Sequence, residues 1–157
     1  MKGDDFIPLL GLTSDDAKVK SFLGSCGINK QPKLKRGELT AILENKKLGL
    51  EITFRDERYL DVRPKEKEYE EGALVLSNVR AYGEGDANFE KFQGELSHAL
   101  KFEFGRNETE AKLGKPADES EFFPLLRWDY DGHCLFVRFN KQLSEIREAS
   151  VQLPIKS

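Results

Sequence analysis

Apolar and polar residues alternate in several short segments of this chain, and a period of two is typical of strands with one buried face. The clearest run places four residues on one face: Leu48, Leu50, Ile52 and Phe54. Residues 40–45 precede this run and are separated from it by the polar turn Asn45-Lys46-Lys47. This pattern predicts an antiparallel hairpin with one face in the core.

Further strands are predicted where the same alternation returns. The segments are 73–82, 126–130, 135–139 and 149–155, and residues 59–62 could extend the first sheet. The pair Asp131-Gly132 lies between two of these segments and predicts a tight turn there. The strands are short and close together in sequence, which favours an antiparallel sheet.

Two segments have helical spacing instead. Between residues 13 and 26, four apolar residues share one helical face: Val19, Phe22, Leu23 and Cys26. Thr13 with Asp16 three residues later resembles a capping box, so this helix is expected to start there. A second helix is expected after Asn107, with Gly114 and Pro116 at its end.

The order helix, strand pair, final strand occurs twice, on either side of the turn-rich segment 83–88. We therefore predict an α+β fold: a tandem repeat of a helix-turn-helix plus antiparallel β-sheet unit. The repeats are expected at 1–84 and 85–157, packed as one globular unit with the sheets side by side and the helices on one face. The alternative is that short strands and helices align with themselves by chance, because residue identity between the halves is low.

Composition narrows the possible partners. The 157 residues are 38% hydrophobic and 34% charged, with a formal net charge of -3, so a folded core is expected. A mildly acidic chain lacks the electrostatic signature of nucleic-acid or membrane-surface binding. No apolar run reaches the roughly 20 residues of a membrane span, and two cysteines do not form a secreted disulfide scaffold. We expect a cytoplasmic protein.

The residues that could carry chemistry are few and scattered. Cys26, Cys134, His98 and His133 lack the close pairing that fixes a zinc site, and His133 and Cys134 should point to opposite faces of a strand. A buried Cys134 and an exposed or capping His133 are expected. Asp129 and Asp131 flank a hairpin end, where solvated carboxylates are more common than catalytic ones. No catalytic residue, metal or cofactor is therefore predicted.

Exposed aromatic and acidic residues are the better candidates, for contacts with a protein partner. Aromatic side chains on a sheet make good anchors in interfaces, and acidic ones attract a basic partner. The candidates are Tyr69, Glu70, Glu71, Tyr82, Glu84, Asp86, Trp128 and Tyr130. Packing of Trp128 and Tyr130 under a helix is the alternative.

The segment 92–116, FQGELSHALKFEFGRNETEAKLGKP, resembles the second-half signature of a group of uncharacterised bacterial proteins. The matching residues are Gly94, Leu96, Leu100, Leu113, Gly114 and Pro116. The repeat pattern is similar to the tandem fold of the β-lactamase inhibitor protein and its outer-membrane-assembly lipoprotein relatives. This resemblance implies a binder that clamps another protein, and such groups often include toxin immunity proteins.

Two functions remain open from the sequence. The first is a protein-binding inhibitor, an immunity protein that covers the active site of a toxin. The second is a structural or assembly module of a bacterial complex, for which a homodimer is one possible form. Neither requires an enzymatic activity.

Overall fold

Seven strands follow one another along the chain: β1 (Thr40–Asn45), β2 (Leu50–Asp56), β3 (Leu74–Tyr82), β4 (Asp118–Glu119), β5 (Leu125–Tyr130), β6 (His133–Phe139) and β7 (Ile146–Gln152). In the computed structural model, which describes residues 1–156, they form one antiparallel sheet with the order β1-β2-β3-β7-β6-β5-β4. The predicted α+β class with an antiparallel sheet is confirmed.

The strand order is the same on both sides of the sheet centre. β1, β2 and β3 pair consecutively, and so do β5, β6 and β7. The two sets meet where β3 pairs with β7, with Val79 opposite Val151. The predicted sheets are therefore halves of one continuous sheet, and the tandem repeat itself stays a prediction.

The first helix, α1 (Ala17–Ser25), starts later than its sequence pattern indicates. Asp16 is the N-cap, because its carboxylate accepts a hydrogen bond from the backbone N–H of Lys18 at 2.8 Å. The predicted cap, Thr13, instead bridges to Val75 in β3. The backbone at Thr13 therefore pairs with the start of β3 and is not part of the helix.

The second helix, α2 (Arg106–Leu113), starts one residue before the predicted cap Asn107. Gly105 is the N-cap, and its backbone N–H donates to Glu108 Oε2 at 2.6 Å. A glycine cannot cap through its side chain, so the carboxylate of the first turn does this work. The predicted end at Gly114 is confirmed.

The core lies on one face of the sheet. Many strand residues on this face are at most 4% exposed, among them Leu50, Ile52, Phe54, Val79, Ala81, Leu126, Trp128, Leu135, Val137 and Val151. Residues of the N-terminal 3-10 turn (Gly3–Leu9) and of α1 join the same apolar cluster, including Phe6, Val19 and Leu23. Burial of each large side chain stabilises the fold by about 1.5–3 kcal/mol.

Three predicted strand limits are wrong. The run that was predicted to include Leu48 becomes a strand only at Leu50, because residues 46–49 form the turn, and Leu48 is 37% exposed. Residues 59–62 do not extend the sheet, because a 3-10 turn (Glu57–Tyr59) follows β2 and Asp56 Oδ1 accepts the Arg58 N–H at 2.9 Å. β7 starts at Ile146 and ends at Gln152, earlier than the predicted 149–155. No helix among residues 1–156 has the length and apolar character that crossing a membrane requires.

Candidate functional site

The face of the sheet opposite the core carries mostly polar and charged side chains, and we call it the polar face. Its residues alternate along the strands with the core residues and lie in register across the sheet. They are Glu51, Thr53, Arg55, Asn78, Arg80, Tyr82, Arg127, Asp129, Cys134, Phe136, Arg138, Glu148, Ser150 and Gln152. A polar face is common on an antiparallel sheet with one solvated side, and its aligned charged side chains make it a candidate binding surface.

Ion pairs tie the centre of the polar face together. Arg80 lies between Glu51, at 3.5 Å, and Glu148, at 3.7 Å. Glu148 also contacts Arg138 at 3.1 Å, and Arg138 pairs with Asp86. Burial opposes the charge on Arg80, yet the neighbouring carboxylates, Glu148 first, raise its pKa above the ordinary value. The central arginines are thus held in place as fixed cations.

Tyr82, a predicted contact residue, lies on the polar face but is covered. Its ring stacks on Phe89 with centroids 4.0 Å apart, and only 5% of the residue is exposed. The hydroxyl lies 3.1 Å from Glu51 Oε2 and donates to it. Tyr82 therefore positions Glu51 within the ion-pair network and offers little surface of its own.

The predicted contact residues Glu84 and Asp86 lie in the connection that follows β3. Glu84 is exposed, whereas Asp86 pairs with Arg138. Asp86 and Arg138 also line a hollow of about 490 Å³ together with Phe123. Both acidic residues therefore lie at one end of the polar face, next to an aromatic side chain.

Tyr69, Glu70 and Glu71 lie in the long loop before β3. The Tyr69 hydroxyl donates to the backbone carbonyl of Gly11 at 2.5 Å, and burial raises its pKa. This contact fixes the loop to the N-terminal segment, while Glu70 and Glu71 are exposed. The two carboxylates remain available to a partner, and Tyr69 acts as an internal tether.

Trp128 and Tyr130 share a strand face, as predicted, but this face is the core side of the sheet. Trp128 is 4% exposed and its indole N–H donates to the carbonyl of Gly114 at 3.0 Å. Tyr130 is half-buried and stacks on His98, with centroids 4.3 Å apart. Because Trp128 is buried, its side chain cannot anchor a protein partner.

The most exposed aromatic residues are Phe122 and Phe123, which the sequence interpretation missed. Phe122 is 86% exposed and Phe123 is 64% exposed. They form the tip of the loop between β4 and β5, where both backbone N–H groups donate to Ser120 Oγ. The signal in the sequence is two consecutive phenylalanines inside the polar loop SEFFP, before a proline that keeps the loop outside the strand.

His98 and His133 contact each other on the core side of the sheet. Their Nε2 atoms are 3.0 Å apart, one ring donating and the other accepting. Burial lowers the pKa of both, and for His98 the neighbouring His133 lowers it further. His133 is 7% exposed, so its predicted exposure is wrong: the ring fills a space between His98 and Tyr130.

The remaining residues that could carry chemistry are either buried or not close to one another. Both thiols are buried, and burial raises the pKa of Cys26 to about 11. Cys134 lies on the polar face beside Asp129, at 3.2 Å from Oδ1, and the adjacent His133 points to the core side. Within residues 1–156, no group of three or more His, Cys, Asp or Glu side chains is placed to hold a metal ion.

Comparisons with protein-family models, with curated proteins and with solved structures give no match for this chain.

Proposed function

We propose that this chain is a protein-binding inhibitor that attaches to its partner through the polar face and the Phe122–Phe123 loop. The observation that carries this proposal is the exposure of two adjacent phenylalanines, 86% and 64%, at the end of a sheet face covered with charge. Exposure of large apolar side chains to water is unfavourable. Protein interfaces are enriched in aromatic residues, which bury this surface on binding.

The neighbourhood of the anchor fits a protein partner. Phe123, Asp86 and Arg138 line one hollow, so an entering side chain would meet an aromatic ring and a pre-arranged ion pair. Apolar anchors supply binding energy, whereas fixed charges supply orientation and partner choice. The exposed carboxylates Glu70, Glu71 and Glu84 favour a partner with a basic surface.

The scaffold in this proposal is a duplication, with residues 1–84 and 85–157 as its two copies. The strand order supports it, because two three-strand sets meet at the β3–β7 pair. A sheet of seven strands presents a broad face, and a stable interface usually buries roughly 1,600 Å² in total. The biological role that fits these features is an immunity protein acting in the cytoplasm, which blocks a toxin by covering its active site.

The test compares capture of partners from a lysate of the native host by three forms of the protein. These are the unmodified chain, the double variant Phe122→Ser/Phe123→Ser and the control Leu48→Ser, whose side chain is 37% exposed in the β1–β2 turn. We expect one stoichiometric partner with the unmodified chain and the control. The double variant should bind at least about tenfold more weakly, because interface anchors are worth about 2 kcal/mol or more.

Inhibition is then measured on the purified partner. Its enzymatic activity should fall on titration with the unmodified chain and persist with the double variant. Two results would contradict the proposal: equal capture by all three forms, or hydrolytic turnover by the pure protein without any partner. An obligate homo-oligomer in light scattering, with no other protein bound, would favour the structural or assembly module instead.

A further inference from the structure

A groove of about 300 Å³ lies on the polar face in the first half of the sheet. Its floor is formed by β2 and β3, with Arg55, Asn78 and Arg80 among the lining residues. Its rim is apolar, with Ile42 on one side and residues 153–155 of the C-terminal segment on the other. The groove is thus a polar floor between apolar walls.

Within residues 1–156, three buried polar atoms in the floor have no hydrogen-bond partner: Arg55 Nε, Asn78 Oδ1 and Arg80 Nε. Asn78 is only 8% exposed, so its amide oxygen has little access to solvent. Leaving a buried polar group unpaired costs about 1–3 kcal/mol. Arg80 Nε already lies 3.7 Å from Glu148 Oε1, so the floor presents one donor, Arg55 Nε, and one acceptor, Asn78 Oδ1, to a bound group.

Arg55 is the residue in the groove that is placed to take an anionic group. Within residues 1–156 it makes no ion pair, whereas Arg80 is paired with Glu51 at 3.5 Å. Asp61 also lines the groove, and its exposed carboxylate accepts the backbone N–H of Lys156 at 3.4 Å, which leaves its charge in place. Among the described residues, the guanidinium of Arg55 is therefore the lining cation without an ion-pair partner.

We propose that this groove binds an acidic residue in an extended segment of the protein partner. The carboxylate of an aspartate or glutamate would accept from Arg55, and a backbone N–H of the same segment would donate to Asn78 Oδ1. The flanking side chains of the segment would contact Ile42 and Ile155. This inference rests on the proposed function, since it describes what the partner contributes to the polar face.

The experiment titrates the ¹⁵N-labelled full chain with two blocked tripeptides, acetyl-Ala-Asp-Ala-amide and acetyl-Ala-Asn-Ala-amide. Heteronuclear spectra follow the Asn78 side-chain amide and the Arg55 Nε–H. We expect saturable shifts of both signals with the aspartate peptide, with a dissociation constant on the order of 1 mM, as suits a single short segment. The asparagine peptide should bind about tenfold more weakly, because it lacks the charge-assisted hydrogen bond.

Arg55→Gln is the test variant, and Arg36→Gln is its matched control, because it removes the same charge from an exposed loop. Arg55→Gln should weaken the aspartate peptide about tenfold and Arg36→Gln should leave it unchanged, with the remaining spectrum confirming that both variants fold. The inference is overturned if neither peptide shifts the groove signals, if both bind equally, or if the two variants behave alike. Each of these outcomes leaves the Phe122–Phe123 test of the proposed function unaffected.

Discussion

The paired imidazoles of His98 and His133 make the folded chain sensitive to acid. The two rings share one hydrogen bond between Nε2 atoms 3.0 Å apart, which requires at least one neutral ring. Asp4 in the N-terminal segment is the charged group that faces them, and its carboxylate accepts the backbone N–H of His98 at 2.8 Å. Its attraction only partly offsets burial, so the pKa of each ring is lower in the folded chain.

Lowered histidine pKa values fix the sign of the pH dependence. The unfolded chain takes up protons near the ordinary histidine pKa of about 6.5, whereas the folded chain resists them until the pH is lower. Stability should therefore be constant above that value and fall as the pH drops below it. Urea unfolding between pH 7.5 and pH 5 measures this loss.

The control for this pH dependence is His98→Gln, which keeps a hydrogen-bonding side chain without the titration. Its stability should decline less over the same pH range, because one of the two coupled groups is gone. An identical decline in both proteins would show that other groups cause the acid sensitivity.

Single residues show where sequence interpretation is strong and where it stops. Of the alternating run Leu48, Leu50, Ile52 and Phe54, the last three are core positions, because burial of one strand face imposes a period of two, whereas Leu48 lies in the turn and is exposed. The same alternation cannot tell which face a later element covers. Trp128 therefore looks like an exposed anchor in the sequence and is buried in the fold.

At the scale of elements, the β1–β2 turn is clamped against the segment that follows β3. Gly49 has φ +71°, and a Cβ atom there would lie 2.3 Å from the carbonyl oxygen of Glu90 and 2.7 Å from the backbone N of Phe92. Phe89 on the same segment stacks against Tyr82. The close approach thus helps to hold Phe89 against Tyr82 on the polar face.

Gly49→Ala should therefore destabilise the fold beyond the cost of a left-handed backbone. The control is Gly132→Ala in the β5–β6 turn, which has φ +80° with open space around its Cβ position. The control should lose about 1–2 kcal/mol, the ordinary penalty for a side chain in this conformation. Gly49→Ala should lose about 3–5 kcal/mol, because main-chain atoms must also move. Equal losses in urea unfolding would show that the close approach costs nothing.

Elements with strong local signals were predictable, and those set by distant contacts were not. The β1 boundaries and the end of α2 at Gly114 follow from alternation and from glycine, which are local properties. The cap of α1 moved from Thr13 to Asp16 because Thr13 bridges to Val75, a contact from far along the chain. The groove at Arg55 and Asn78 depends on the register of β2 and β3 together with the C-terminal segment, so no local pattern indicates it.

At the scale of the whole molecule, the pairing of β3 with β7 makes the two predicted halves depend on each other. Val79 and Val151 face each other at this seam, and each is 1% exposed. Cutting the chain between residues 84 and 85 would leave β3 and β7 as bare edges of two small sheets. Each half would lose the apolar contacts across the seam and expose an unpaired strand edge, so we expect neither to be stable alone.

Further contacts cross between the halves away from the seam. The backbone N–H of Gly3 donates to Glu95 at 2.6 Å, and that of Leu153 donates to Ser77 at 2.9 Å. The N-terminal segment is therefore hydrogen-bonded to the second half, and the C-terminal segment is hydrogen-bonded to the first half. We expect the isolated fragments 1–84 and 85–157 each to lack the dispersed amide spectrum of a folded domain, and their mixture to regain it.

Mixing the two fragments distinguishes mutual dependence of the halves from a general loss of stability. If the fragments fail alone but combine at equal molar ratio, each half supplies the strand edge that the other lacks, and a Val79→Asp change in the first fragment should prevent the recovery. Val62→Asp in the same fragment is the control, because Val62 is 37% exposed and lies outside the strands. A fragment that folds cooperatively on its own would show that the seam joins two independent domains. The polar face would then be the junction of two separate surfaces, and a partner could bind one half without the other.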